Sequence, residues 1–285
     1  MFAIIGFIVV LGSVIGGYIL EHGNLHVLFQ PVELLIIGGA AAGAFLVASP
    51  KKIIAMTMKG FGQVFGGKEA TKQNFMDLLF LLYDLLNMAR KEGVLAIESH
   101  VNNPQNSAVF SKYPTIIANH ELLDFICDNF KVLLAGNMES HELENIMEID
   151  MEAHHHHNLI ASHVISNIAD GMPALGIVAA VLGVVITMGK IKEPPEVLGH
   201  SIGAALVGTF LGVLLSYGFI GPMAKNLEHQ ANEKQEFFMI VKVALLSFAK
   251  GWAPVLSVEA ARRAVAGHDR PSFDELEQGV RGARK

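Results

Sequence analysis

Four stretches without a single Asp, Glu, His, Lys or Arg constrain this chain more than any other feature. They are Phe2–Leu20 and residues 34–48, 172–188 and 202–220. A helix needs about 20 mostly apolar residues to cross the hydrocarbon core, and no fewer than roughly 17. The first, third and fourth stretches qualify directly. The second reaches spanning length if it begins near Phe29, with Glu33 at its entrance. Only 17% of the 285 residues are charged, against about 25% in soluble domains, and these stretches hold the deficit. No Lys or Arg precedes or interrupts the first stretch, so it is expected to be a retained span rather than a signal peptide.

Basic residues set the expected orientation. Only Lys190 and Lys192 of the 21 Lys and Arg lie outside residues 50–170 and the region after Pro222. Lys51, Lys52, Lys59, Lys68 and Lys72 crowd just behind the second span, where the positive-inside rule counts most. Both termini and the long middle segment are therefore expected in the cytoplasm. The expected fold is an all-α integral membrane protein with four transmembrane helices. A large helical cytoplasmic domain separates spans two and three, and a cytoplasmic helix and tail follow span four. The expected regions are a hairpin of spans one and two (1–49), the cytoplasmic domain (50–170), a second hairpin (171–221) and the C-terminal region (222–285). A net charge of −6 gives no reason to expect nucleic-acid binding.

The middle segment reads as helical. Phe75, Leu78, Leu79, Leu82, Leu85, Leu86 and Ala89 recur at three- and four-residue spacing and form one apolar stripe. A loop is expected over 100–107, a second helix from Tyr113 to about Gly136, and a helix start at Ser140. An amphipathic helix is expected over 227–248. Near the end, Ser272 with Glu275 three residues later has the pattern of a capping box.

Spans three and four carry small residues on one side: Gly176, Ala179, Ala180 and Gly183 in the third, and Gly203, Ala204, Gly208 and Gly212 in the fourth. Small residues let backbones approach closely in lipid. They permit packing of the two spans on each other, or a shared surface facing another helix. Neither span holds an ionisable group of the kind that normally marks a proton or cation path. If the chain conducts ions, the carboxylate must come from a partner. Thr209 is the main polar candidate in the small-residue face, with Thr187 nearer a span end, and a buried Thr commonly bonds its own backbone. Pro173 and Pro222 are expected to bracket the pair, either as helix ends or as hinges, and Asp170 suits a helix N-terminus. Arg90 and Glu98 fit a solvated face. The run His154–His157 lacks ligand spacing for a metal site, and the single Cys127 excludes an internal disulfide. No catalytic site, cofactor or metal centre is expected.

Several runs give the chain a resemblance. They are Phe29-Gln30-Pro31 with Glu33; Asp77-Leu78-Leu79 with Leu82-Tyr83; the stretch from Asp170-Gly171-Met172-Pro173 through Ala179-Ala180-Val181; Val207-Gly208-Thr209-Phe210-Leu211-Gly212; Ser216-Tyr217-Gly218-Phe219 with Pro222; and Arg270-Pro271-Ser272-Phe273. End to end, the chain resembles the MotA family, the A subunit of the bacterial flagellar stator. ExbB/TolQ proteins share the logic but have three spans.

The resemblance implies a ring of subunits, a pentamer, around the paired membrane helices of MotB, whose aspartate carries the ion. It further implies an inner-membrane location and torque delivered to the rotor protein FliG through Arg90 and Glu98. Pro173 and Pro222 would couple ion flow to movement. Sodium-type relatives place a threonine at the position of Ala180 as well as at that of Thr209. Sodium needs several oxygen ligands and Ala180 offers none, so protons are expected as the driving ion. A sodium-driven stator and an ExbB/TolQ-like envelope energiser are the alternatives.

Overall fold

The computed structural model describes residues 2–67, 70–136 and 138–282. In chain order its α-helices are α1 (Phe2–Leu20), α2 (Leu25–Leu28), α3 (Pro31–Ala48), α4 (Lys51–Gly66), α5 (Lys72–Glu92), α6 (Glu98–Asn102) and α7 (Pro114–Ile117). There follow α8 (His120–Ala135), α9 (Ser140–Met188), α10 (Pro195–Val213), α11 (Gly221–Ala249), α12 (Pro254–Ala264) and α13 (Phe273–Gly282). Among the described residues there is no strand. Four helical stretches are long and apolar enough to cross a membrane: Phe2–Leu20, Leu25–Ala48, Ser140–Met188 and Pro195–Ala249. The second span thus gains its length from α2, with Pro31 as the first residue of α3, where a missing N–H costs nothing.

The chain forms two compact units, Met1–Gly67 with Asn158–His229, and Lys68–His157 with Gln230–Lys285. In the first, Ile37 and Ala41 of α3 pack with Met172 and Ala179 of α9, while Val64 of α4 packs with Ala161, Ile165, Met223 and Leu227. Helix α1 buries none of its residues, as suits a helix whose apolar surface faces lipid or another chain.

The second unit is built around α5. Its expected stripe is buried, but Leu81 and Tyr83 are buried too, because neighbours cover more than one side of the helix. Phe75 stacks on Phe237 and Phe125 on Phe238, both at 4.5 Å between ring centroids. Burial pushes the Cys127 thiol up to about 12, the behaviour of an inert core cysteine. The expected loop at 100–107 is folded into α6 and a 3₁₀ turn at Pro104–Asn106. The expected helix from Tyr113 breaks in two, since the Asn119 side chain accepts from the Leu122 amide and restarts the helix as α8. At the C-terminal end the capping box closes in both directions. The Ser272 amide donates to Glu275 (2.6 Å) and the Glu275 amide to the Ser272 hydroxyl (3.2 Å). The Lys72 ammonium, 2.7 Å from Glu275, together with these bonds holds that carboxyl down at about 2.

Candidate functional site

Helices α9 and α10 meet backbone to backbone, and glycine makes the approach possible. A Cβ on Gly176 would sit 2.7 Å from the Gly208 carbonyl oxygen and 2.9 Å from the Gly212 Cα. One on Gly212 would lie 2.6 Å from the Met172 carbonyl oxygen. One on Gly183 would lie 2.8 Å from the Ala205 Cβ. Of the two uses that the small residues allow, Gly176, Gly183, Gly208 and Gly212 serve the packing of the two spans on each other. Such close approach is how membrane helices associate without a hydrophobic driving force. Ala180 is part of the same seam: a Cβ on Gly208 would lie 2.9 Å from the Ala180 amide nitrogen. Thr209 is half-buried beside it. Thr187 is buried and donates its hydroxyl to the Gly183 carbonyl at 2.8 Å, the back-bond that membrane threonines commonly form.

Pro173 and Asp170 depart from the helix-end reading, whereas Pro222 falls in the first turn of a helix, as that reading allows. Pro173 is an interior residue of α9, which runs unbroken from Ser140 to Met188, so it marks no helix start. Asp170 likewise lies mid-helix and exposed, away from any N-terminal dipole. Proline inside a helix forfeits one backbone bond and crowds the preceding turn, so Pro173 is a built-in weak point. Pro222 is the second residue of α11, directly after a π-helical stretch, Leu214–Ile220. There the Gly221 amide reaches back five residues to the Ser216 carbonyl. π-Helical stretches of this kind are rare and concentrate at functional sites. Ser162 of α9 donates to the Ala224 carbonyl at 2.8 Å, which pins the chain just past Pro222.

One buried acid, named in the sequence only as the entrance of span two, takes a place in this seam. Glu33, in the first turn of α3, is only 8% exposed. Its Oε2 would lie 3.0 Å from a Cβ on Gly208, and its Oε1 3.6 Å from one on Gly183. The carboxyl group of span two therefore enters the seam between spans three and four. Its Oε2 has no hydrogen-bond partner among the described residues. The available signal was an acid at the mouth of an apolar stretch, which reads equally as an ordinary N-terminal helix charge.

Arg90 and Glu98 belong to the chain's other unit. Arg90 is exposed in the last turn of α5, and Glu98 is exposed at the start of α6. Gly93, with φ +92°, turns the chain between them, a conformation that glycine adopts without a side-chain penalty. Neither side chain forms an ion pair among the described residues. His154 packs edge-on against Phe125 and Phe238 and approaches Asp150 at 3.5 Å.

Fold and seam together define a polytopic α-helical membrane protein with a carboxyl group held between its inner spans. The motility protein A N-terminal family matches residues 4–93, and the MotA/TolQ/ExbB proton channel family matches residues 118–239. Motility protein A of Salmonella typhimurium is 42% identical over 284 residues, covering 100% of this chain and 96% of its own. Chemotaxis protein LafT of Vibrio parahaemolyticus is 31% identical, with 96% of each chain covered. A solved structure of C. jejuni MotAB superposes with a TM-score of 0.79 at 23% identity, covering 95% of this chain and 98% of that one. The flagellar MotAB stator complex from Bacillus subtilis gives 0.72 at 22% identity, covering 97% and 98%. The chain belongs to the motility protein A family.

Proposed function

We propose that this chain is the A subunit of a proton-driven flagellar stator, a channel-type rather than catalytic protein of the bacterial inner membrane. In this reading several copies, a pentameric ring, surround the paired membrane helices of a MotB-type partner. The partner supplies an aspartate, and protonation and release of that aspartate turns the ring. Arg90 and Glu98, exposed and without ion-pair partners among the described residues, are suited to meet opposite charges on the rotor protein FliG. Pro173 and the π-helical turn before Pro222 give α9 and the α10–α11 run places where helix geometry can change with each ion. Both termini are cytoplasmic, as the basic residues direct.

One observation carries the reading: two glycine-packed spans whose membrane segments hold no Asp, Glu, His, Lys or Arg. Ion coupling there depends on an acid brought from elsewhere. Ala180 at that seam brings no oxygen, which leaves a stripped sodium ion short of ligands. The match over residues 4–93 to the motility protein A N-terminal family favours motor torque over an ExbB/TolQ-like role in the envelope. The test is single-motor torque in cells whose only stator contains this chain, measured as external sodium is removed at constant pH. Torque that persists at very low sodium supports proton drive; collapse contradicts it.

A further inference from the structure

We propose that Glu33 is a proton-exchange site of this subunit, which takes protons from the outer aqueous phase and passes them inward to the partner's carboxylate. The inference rests on the proton-driven reading above.

Three observations lead to it. Glu33 is more than nine-tenths buried, and its Oε2 lacks a hydrogen-bond partner among the described residues. The group occupies a cradle made by two missing side chains, those of Gly183 and Gly208. And the cradle adjoins the Ala180 backbone and the residue before Thr209, the level at which ion choice is expected to be made. An ionised carboxyl in an apolar seam without a cation is costly, and acids placed within membranes mark ion paths far more often than packing.

Fixed charges do not fill the role of counter-ion. On α9 no Asp, Glu, His, Lys or Arg occurs over 172–188. On α10 the titratable groups are Glu196 and His200, on the α9–α10 connection Lys190, Lys192 and Glu193, and on α2 His26; all six are exposed, and none pairs with Glu33 among the described residues. Helix α3 carries no other charged residue. The neutralising cation is therefore a mobile one. Sodium would need several oxygens, whereas the Ala180 side chain offers none, the Thr187 hydroxyl is committed to Gly183, and the Thr209 hydroxyl is a single ligand. A proton needs only one acceptor lone pair.

The exchange balances without a further reactant. Hydronium from the outer face protonates the Glu33 carboxylate and leaves as water. The new O–H bond then breaks as the proton moves to the partner's carboxylate, and Glu33 returns to its anionic form. The first-turn position of Glu33 in α3, on the hairpin side opposite the basic segment, suits the outward-facing half of the path.

The test uses cells whose only stator contains the full chain with its partner. Torque of Glu33→Gln, Glu33→Asp and the parent is measured across external pH, in sodium-free and sodium-containing media. Glu33→Gln keeps the shape and removes the exchangeable proton, so torque should fall on the order of tenfold, with normal membrane levels, while Glu33→Asp recovers most of it. Parental torque in Glu33→Gln at every pH overturns the proposal. If parental torque itself collapses without sodium, the proton-driven reading falls, and the relay with it. Should Glu33→Gln fail to assemble, infrared pH titration of the purified complex decides. A protonated-carboxyl carbonyl band that shifts in Glu33→Asp supports the site, and identical spectra overturn it.

Discussion

The α9–α10 seam and the core around α5 bury helix surfaces by opposite means. Around α5 the buried surface is large and apolar: Phe75, Leu78, Leu82, Phe125 and Phe238 are at most 2% exposed. Removing such groups from water is worth about 1.5–3 kcal/mol each. At the seam the contacts are glycine backbone on glycine backbone, because lipid tails are as apolar as leucine and reward only close fit. A polar group is tolerated there only for a reason, which is why Glu33 stands out and why the ion pairs of the other unit, such as Lys242 with Glu148 at 2.6 Å, do not.

That contrast can be broken first at the seam. Gly212→Leu should abolish assembly, since even a Cβ there would lie 2.6 Å from the Met172 carbonyl oxygen; membrane abundance and co-purification with the partner measure it. In the other core Leu82→Ala, at a fully buried position, should cost about 2–5 kcal/mol, read as a lowered melting temperature of the purified protein with the seam intact. Asn119→Ala should cost about 1 kcal/mol by removing the cap of α8. Arg90→Glu sharpens the comparison from the other side. At an exposed position it should move stability by no more than about 0.5 kcal/mol, yet impair swimming if the proposed rotor contact holds. Wild-type swimming by both Arg90→Glu and Glu98→Lys would remove the electrostatic rotor contact from the account.

Much of this was legible in the sequence because periodicity and charge act locally. The apolar spans, the α5 stripe, the Ser140 start and the Ser272–Glu275 box all follow from spacing within a few residues. What stayed hidden depends on distant neighbours. The continuity of α9 through Pro173 overrides a local breaker by packing on both sides of it. The π-helical stretch before Pro222 has no compositional mark. Leu81 and Tyr83 lie off the stripe and are buried only because other helices wrap α5. Glu33 is the sharpest case: its meaning comes from two absent side chains about 150 and 175 residues further on, a juxtaposition that only tertiary packing creates.

Proton flux into liposomes, measured with the purified chain alone and then with its single-span partner, tests the central claim most directly. The account predicts a sealed membrane with the chain alone, since Glu33 has no acceptor further inward, and proton entry once the partner supplies its acid. Steady proton conduction by the chain alone would contradict it.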